Sequence, residues 1–255
     1  MTQNESSQPP PPPGAWLRPE LVASWREILL VILVMVGPFA WRSGLNAWNG
    51  SAPVFMGKIF TDERLVTSLV SEGVMLSFFL WLLHRRGWRV SDLRIRPGIL
   101  SSLQGFGLLA AVEIAQIVTK FVTIAVLAAF RPANVPLLTY LHSYSPHIAL
   151  HSIMVSWSAI FAAMILNAFF EEIVCTGYVF TQLATKWGPG LGLFATLVLR
   201  LACHTYQGPM NLLPIGAVFL IFGLWYWWTR NLWPLIVAHA LLDITSGALL
   251  KGLYG

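Results

Sequence analysis

Glu171 and Glu172 stand side by side in Asn167–Leu183, NAFFEEIVCTGYVFTQL, a stretch otherwise composed like a lipid-buried helix. One carboxylate at the centre of a membrane helix costs about 2.5–3.5 kcal/mol on insertion scales. Two in succession require a compensating role, and catalysis is the role expected here. His204, His239 and Asp243 are the residues expected to complete the site. A carboxylate and a histidine at one depth can activate water by general-base chemistry. Glu72, Glu113, Lys120 and Arg200 are the other ionisable groups that fall inside apolar segments. Glu113 and Lys120, two helical turns apart, are read as forming a structural ion pair with each other or with neighbours rather than a proton relay, and Glu72 as a residue near the start of its span reaching the interface.

The elements that must position these residues are membrane helices. The chain has 255 residues, of which 56% are apolar and 11% charged, where a soluble domain carries about 25% charged residues. Seven hydrophobic segments, each near the ~20 residues that span a bilayer, fall at about 28–45, 66–83, 103–130, 152–184, 190–206, 212–228 and 232–250. The expected fold is all-α, a polytopic transmembrane bundle of about seven spans, with eight possible if the long fourth segment is two. Three regions follow: 1–25, a disordered proline-rich cytoplasmic tail; 26–150, N-terminal membrane helices and loops; and 151–255, a catalytic membrane core. Gly37-Pro38 predicts a kink in the first span. No cleavable signal is expected, since the first two dozen residues lack an apolar core.

Spacing then brings the ionisable residues to one level. Trp187-Gly188-Pro189-Gly190 marks a hairpin between spans four and five. With the turn centred between Trp187 and Gly188, Glu171 and His204 lie equally far from it, roughly 20–25 Å along either helix at 1.5 Å per residue. Arg200 and His204 are four apart and share a face; so are His239 and Asp243. The latter pair lies about 13 and 19 Å along its helix from the turn at Arg230.

Basic residues set the orientation. His84–Pro97, HRRGWRVSDLRIRP, carries five arginines and predicts a cytoplasmic loop and a cytoplasmic N-terminus. The net charge of +5 gathers in short loops beside apolar spans, so a bilayer is the expected partner and nucleic acid is not. Tryptophans at the span ends, Trp16 and Trp25 among them, read as an aromatic belt. His142, His147 and His151 read as a wet interfacial segment, although the last two have metal-ligand spacing. Cys175 and Cys203 read as small buried residues. Gln207 is expected either to contact substrate or to cap a helix end.

These residues resemble the CPBP family of intramembrane proteases, which includes type II CAAX prenyl endopeptidases and bacteriocin-processing or immunity proteins. Its motif Glu-Glu-x-x-x-Arg is matched by Glu171–Thr176, followed by Gly177-Tyr178. Phe-x-x-x-His is matched by Arg200–His204, and His-x-x-x-Asn/Asp by His239–Asp243. The resemblance runs from about 156 to 248. It implies an endopeptidase acting on membrane-anchored peptides or proteins, with Glu171, Glu172, His204, His239 and Asp243 catalytic; Arg200 and Gln207, which the motifs do not supply, are read as supporting residues. It also implies two chemistries. One is metal-free activation of water by Glu171 and His204, the version favoured here. The other uses Zn²⁺ held by His204, His239 and Glu171. A catalytically inactive immunity or scaffold protein is the alternative, because Thr176 replaces the motif arginine and Arg200 its phenylalanine. Arg200 is expected to supply the missing cation by pairing with Glu172. Substrate identity and oligomeric state leave no signature in the sequence.

Overall fold

The computed structural model describes residues 16–49, 61–144 and 155–254, and every regular element in them is helical. The helices are α1 (Trp25–Trp48), α2 (Asp62–Arg85), α3 (Ile99–Ala129), α4 (Leu137–Tyr144), α5 (Trp157–Trp187), α6 (Pro189–His204), α7 (Pro209–Thr229) and α8 (Trp233–Tyr254). Each of the seven expected segments falls on one helix; α4 is short and additional. Helices α1, α2, α3, α5 and α7 are long and apolar enough to cross a membrane. The chain is an integral membrane protein.

Local chemistry sets the helix ends. Ser24 caps α1 in a reciprocal capping box with Glu27, leaving fewer orphan N–H groups at that terminus. Thr61 caps α2, whose first turn carries Asp62 and Glu63 and whose last carries His84 and Arg85, as the helix dipole favours. Gly188, with φ of 85°, turns the chain between α5 and α6, and Pro189 opens α6. That left-handed conformation costs glycine little.

Two helices depart from α geometry. In α1 a π segment, Ile32–Val36, precedes Gly37-Pro38, and the Gly37 N–H reaches the Ile32 carbonyl five residues back. Proline cannot donate to the ladder and crowds the preceding turn, so the helix widens where a kink was expected. The fourth segment is one continuous helix rather than two, with its middle, Glu172–Phe180, wound as π-helix. Such segments are frequent at functional sites.

Helix α5 is the most buried of the five long helices and α3 the least. It packs against α2, α6 and α8; α7 joins α6, α3 lies across α7 and α8, and α1 covers α6. The core between them holds Val174, Val179, Phe180, Phe222, Tyr226 and Leu235, all nearly solvent-free. Outward faces carry exposed Leu33, Phe78, Ile114, Phe121 and Phe194, the surface that a bilayer covers.

Several expectations are corrected. Residues 16–24, assigned to a disordered tail, are packed: Trp16, Leu17, Leu21 and Ala23 are buried. Buried Gln182 accepts from the Ala23 N–H and donates to the Leu21 carbonyl, both at 2.9 Å. Trp16 lies against Phe180 and Tyr226 instead of in a belt, because the core offers it aromatic partners. Trp25 keeps the rim position, 4.6 Å from Trp187 between ring centroids. Glu113 and Lys120 form no ion pair among the described residues. His147, His151 and the proline run lie outside the described residues.

Candidate active site

Four elements meet at the site. Helix α5 presents Asn167, Glu171, Glu172 and Thr176; α6 presents Arg200 and His204; α7 adds Phe219; and α8 adds His239 and Asp243. The α5–α6 pair is drawn tight at Gly192, where a Cβ would stand 2.9 Å from the Ala184 nitrogen and 3.2 Å from the Phe180 carbonyl oxygen.

A buried ionic clamp forms the inner part. Glu172 is fully solvent-free. Its Oε1 lies 2.8 Å from Arg200 Nη1 and 2.8 Å from His239 Nδ1, and its Oε2 accepts from Thr176 Oγ1 at 2.8 Å. Nη1 meets Oε1 off the line of a hydrogen bond, so this contact is ionic. Nη2 donates to Thr176 Oγ1 at 3.0 Å and to the Glu171 carbonyl at 3.3 Å. The guanidinium also rests 4.5 Å from the centre of the Phe219 ring, a further favourable contact for a desolvated cation. Thus the guanidinium that the family motif carries at position 176 arrives from position 200 and touches the Thr176 hydroxyl.

The outer part is half-open. Glu171 keeps 20% of its side chain exposed, with Oε2 3.8 Å from Arg200 Nη1. His204 is half-buried, and its Nδ1 sits 2.8 Å from the Arg200 carbonyl. A carbonyl only accepts, so Nδ1 carries the proton and Nε2 holds the lone pair in the neutral ring. No hydrogen bond joins the Glu171 and His204 side chains among the described residues; both adjoin Arg200. Asp243 keeps 24% of its side chain exposed, 3.6 Å from His239 Nε2. It accepts from Asn167 Nδ2 at 2.9 Å.

Several residues stand differently from the sequence reading. Glu172, read as catalytic, has no exposed surface and is engaged by Arg200, His239 and Thr176. Gln207 sits in the turn after α6, its side-chain amide donating to Tyr206 Oη at 3.2 Å while its main-chain carbonyl accepts from Asn211 Nδ2; its side chain makes no hydrogen bond to the glutamates or to either histidine. Glu72 is 6% exposed in mid-α2, within electrostatic range of Glu171 and Asp243, and does not reach an interface. Asn167 was missed, although it lies one turn before Glu171 on the same face. Ser43 was missed too: buried on α1, it accepts from the Tyr206 N–H at 2.9 Å and bonds Thr205 Oγ1, pinning the turn after His204. A lone serine in an apolar span gives no signal of that contact.

Both His239 nitrogens face carboxylates, and a guanidinium stands beside both glutamates. Among the described residues no three His, Cys, Asp or Glu side chains gather as ligands. Cys175 is buried and Cys203 half-buried.

Residues 152–245, which run from the segment before α5 into α8, match the family model described as Type II CAAX prenyl endopeptidase Rce1-like. This part of the chain is an Rce1-like domain. Comparison with curated proteins and with solved structures finds no match. The Rce1-like domain takes in both glutamates, Arg200, both histidines and Asp243, and it leaves α1 to α3 outside. A protease family of the CAAX endopeptidase kind, set in an integral membrane protein, suggests a membrane-anchored protein substrate.

Proposed function

We propose that the protein is an intramembrane endopeptidase that hydrolyses a peptide bond in a membrane-anchored substrate, with water activated by Glu171 and His204 and no metal. The observation that carries this reading is the division of the paired glutamates. Glu172 is locked between Arg200, His239 and Thr176, while Glu171, one residue away, stays half-open beside the same arginine. A structural network would bury and saturate both.

Glu171 takes one proton from water held by His204 Nε2, and the water oxygen attacks the scissile carbonyl carbon. The carbonyl electron pair moves onto oxygen; on its return the C–N bond breaks, and the amine leaves with the proton from Glu171. Arg200 orients Glu171 and offsets the cost of burying Glu172. Glu172, His239 and Thr176 act as positioning residues. The arginine-rich loop supports a cytoplasmic N-terminus.

The test is cleavage of a membrane-peptide library, prenylated and unmodified, by the purified protein with and without chelator. Glu171→Gln is expected to fold normally and to lose about 10²–10⁴ in rate, the usual worth of a general base. Chelator is expected to leave the wild type unaffected. Chelator-sensitive cleavage restored by zinc would overturn the metal-free mechanism, and no cleavage by folded wild type would overturn the endopeptidase.

A further inference from the structure

The reaction proposed above gathers negative charge on the former carbonyl oxygen, and it needs a hydrogen-bond donor at that point. The obvious groups are engaged. Arg200 is 4% exposed and faces the glutamates. His239 is also 4% exposed, with its nitrogens turned to Glu172 and Asp243. Ionised Asp243 accepts and cannot donate.

Asn167 has what these lack. It lies on α5 one turn before Glu171, on the same face, and is half-buried as Glu171 is. Among the described residues its one hydrogen bond runs from Nδ2 to Asp243 Oδ2, at 2.9 Å. A carboxylate acceptor fixes which way the amide is turned, with the NH₂ group toward Asp243. That group carries two hydrogens in a rigid plane about 120° apart. Asp243 engages one and leaves the other for an acceptor in the same half-buried space.

We infer that Asn167 is a catalytic residue that donates its second amide N–H to the developing oxyanion, with Asp243 the positioning residue that holds the amide. This rests on the endopeptidase reading. An amide and a carboxylate thus work as a pair, and either position of the pair can carry either group.

The test uses the full chain in liposomes, a farnesylated CAAX peptide and a phosphinate analogue of its tetrahedral intermediate. Asn167→Ala is expected to lower kcat about 10²–10³-fold, as loss of one oxyanion donor does. KM should stay within a few-fold, and affinity for the phosphinate should fall in step with kcat. Asn167→Asp alone sets two carboxylates together and should be at least as impaired. Adding Asp243→Asn restores one amide and one carboxylate, keeps the α5–α8 hydrogen bond, and should recover about tenfold or more. Full kcat in Asn167→Ala would overturn the inference. So would a loss of kcat with phosphinate affinity unchanged, or an exchanged pair that folds without recovering. Glu171→Gln run alongside separates the claims. Wild-type turnover abolished by Glu171→Gln but not by Asn167→Ala removes the donor and leaves the protease standing. A wild type inert on this peptide and on the library removes both.

Discussion

At the scale of single residues, Arg200 decides the most. It neutralises a carboxylate with no solvent contact, lies against an aromatic ring, and reaches the main chain at Glu171. Removing it leaves Glu172 buried without its cation, a loss of about 3–5 kcal/mol in comparable buried pairs. Arg200→Met is therefore expected to lower thermal stability in detergent sharply and to abolish peptide cleavage. Thr176→Arg added to Arg200→Phe returns the guanidinium to the family position and should recover part of both. Unchanged melting and turnover in Arg200→Met alone would refute this account of the clamp.

At the scale of elements, the α5–α6 hairpin carries the catalytic register. Its turn is set by Gly188 and Pro189, its closeness by Gly192. A methyl group at 192 meets main-chain atoms of Ala184 and Phe180, which cannot swing aside. Gly192→Ala is expected to cost about 1–3 kcal/mol by overpacking. It should also lower turnover, since Arg200 on α6 is drawn away from Glu172 on α5. Gly190→Ala, two residues earlier with nothing within 4 Å of the added carbon, should leave both properties near wild type. Melting curves and peptide turnover on the two variants make the comparison; equal damage at both would mean that close approach is not what Gly192 provides. The π-wound middle of α5 belongs to this scale too. It begins at Glu172, the residue where the buried clamp starts.

At the scale of the whole molecule, residues 16–24 strap the end of the bundle that carries the arginine-rich loop. Arg18 pairs with Asp92 at 2.9 Å, Arg86 pairs with Glu27, and the Leu232 N–H donates to the Arg94 carbonyl at 3.0 Å. Gln182, with no exposed surface, ties this strap to α5 through two main-chain bonds. Gln182→Leu leaves the Ala23 N–H and Leu21 carbonyl unpaired, at about 1–3 kcal/mol each. A glutamate-specific endoproteinase is expected to cut after Glu20 several times faster in that variant than in wild type, whereas a strap held by Trp16 alone would show no change.

His239 and Asp243, Arg200 and His204, and the equal distances of Glu171 and His204 from the midpoint of Trp187-Gly188 show what the sequence by itself determined. Depth along a helix follows from rise per residue, and a shared face follows from a separation of four. Both are local properties, so spans, hairpin and a converging set of ionisable groups were legible. Rotation about each helix axis was not. Glu171 and Glu172 differ by about 100° around α5, and only packing against α6 and α8 decided that 172 faces the ionic clamp and 171 the open side. The same rotation brought Asn167 to Asp243 and turned Glu72 inward, and neither spacing nor composition encodes it. The strap at Trp16 escaped notice because a short mixed segment beside a proline run resembles solvated chain until Phe180 and Tyr226 are placed beneath it. Tertiary structure settles such contacts because they join residues remote in sequence, where no periodicity reports them.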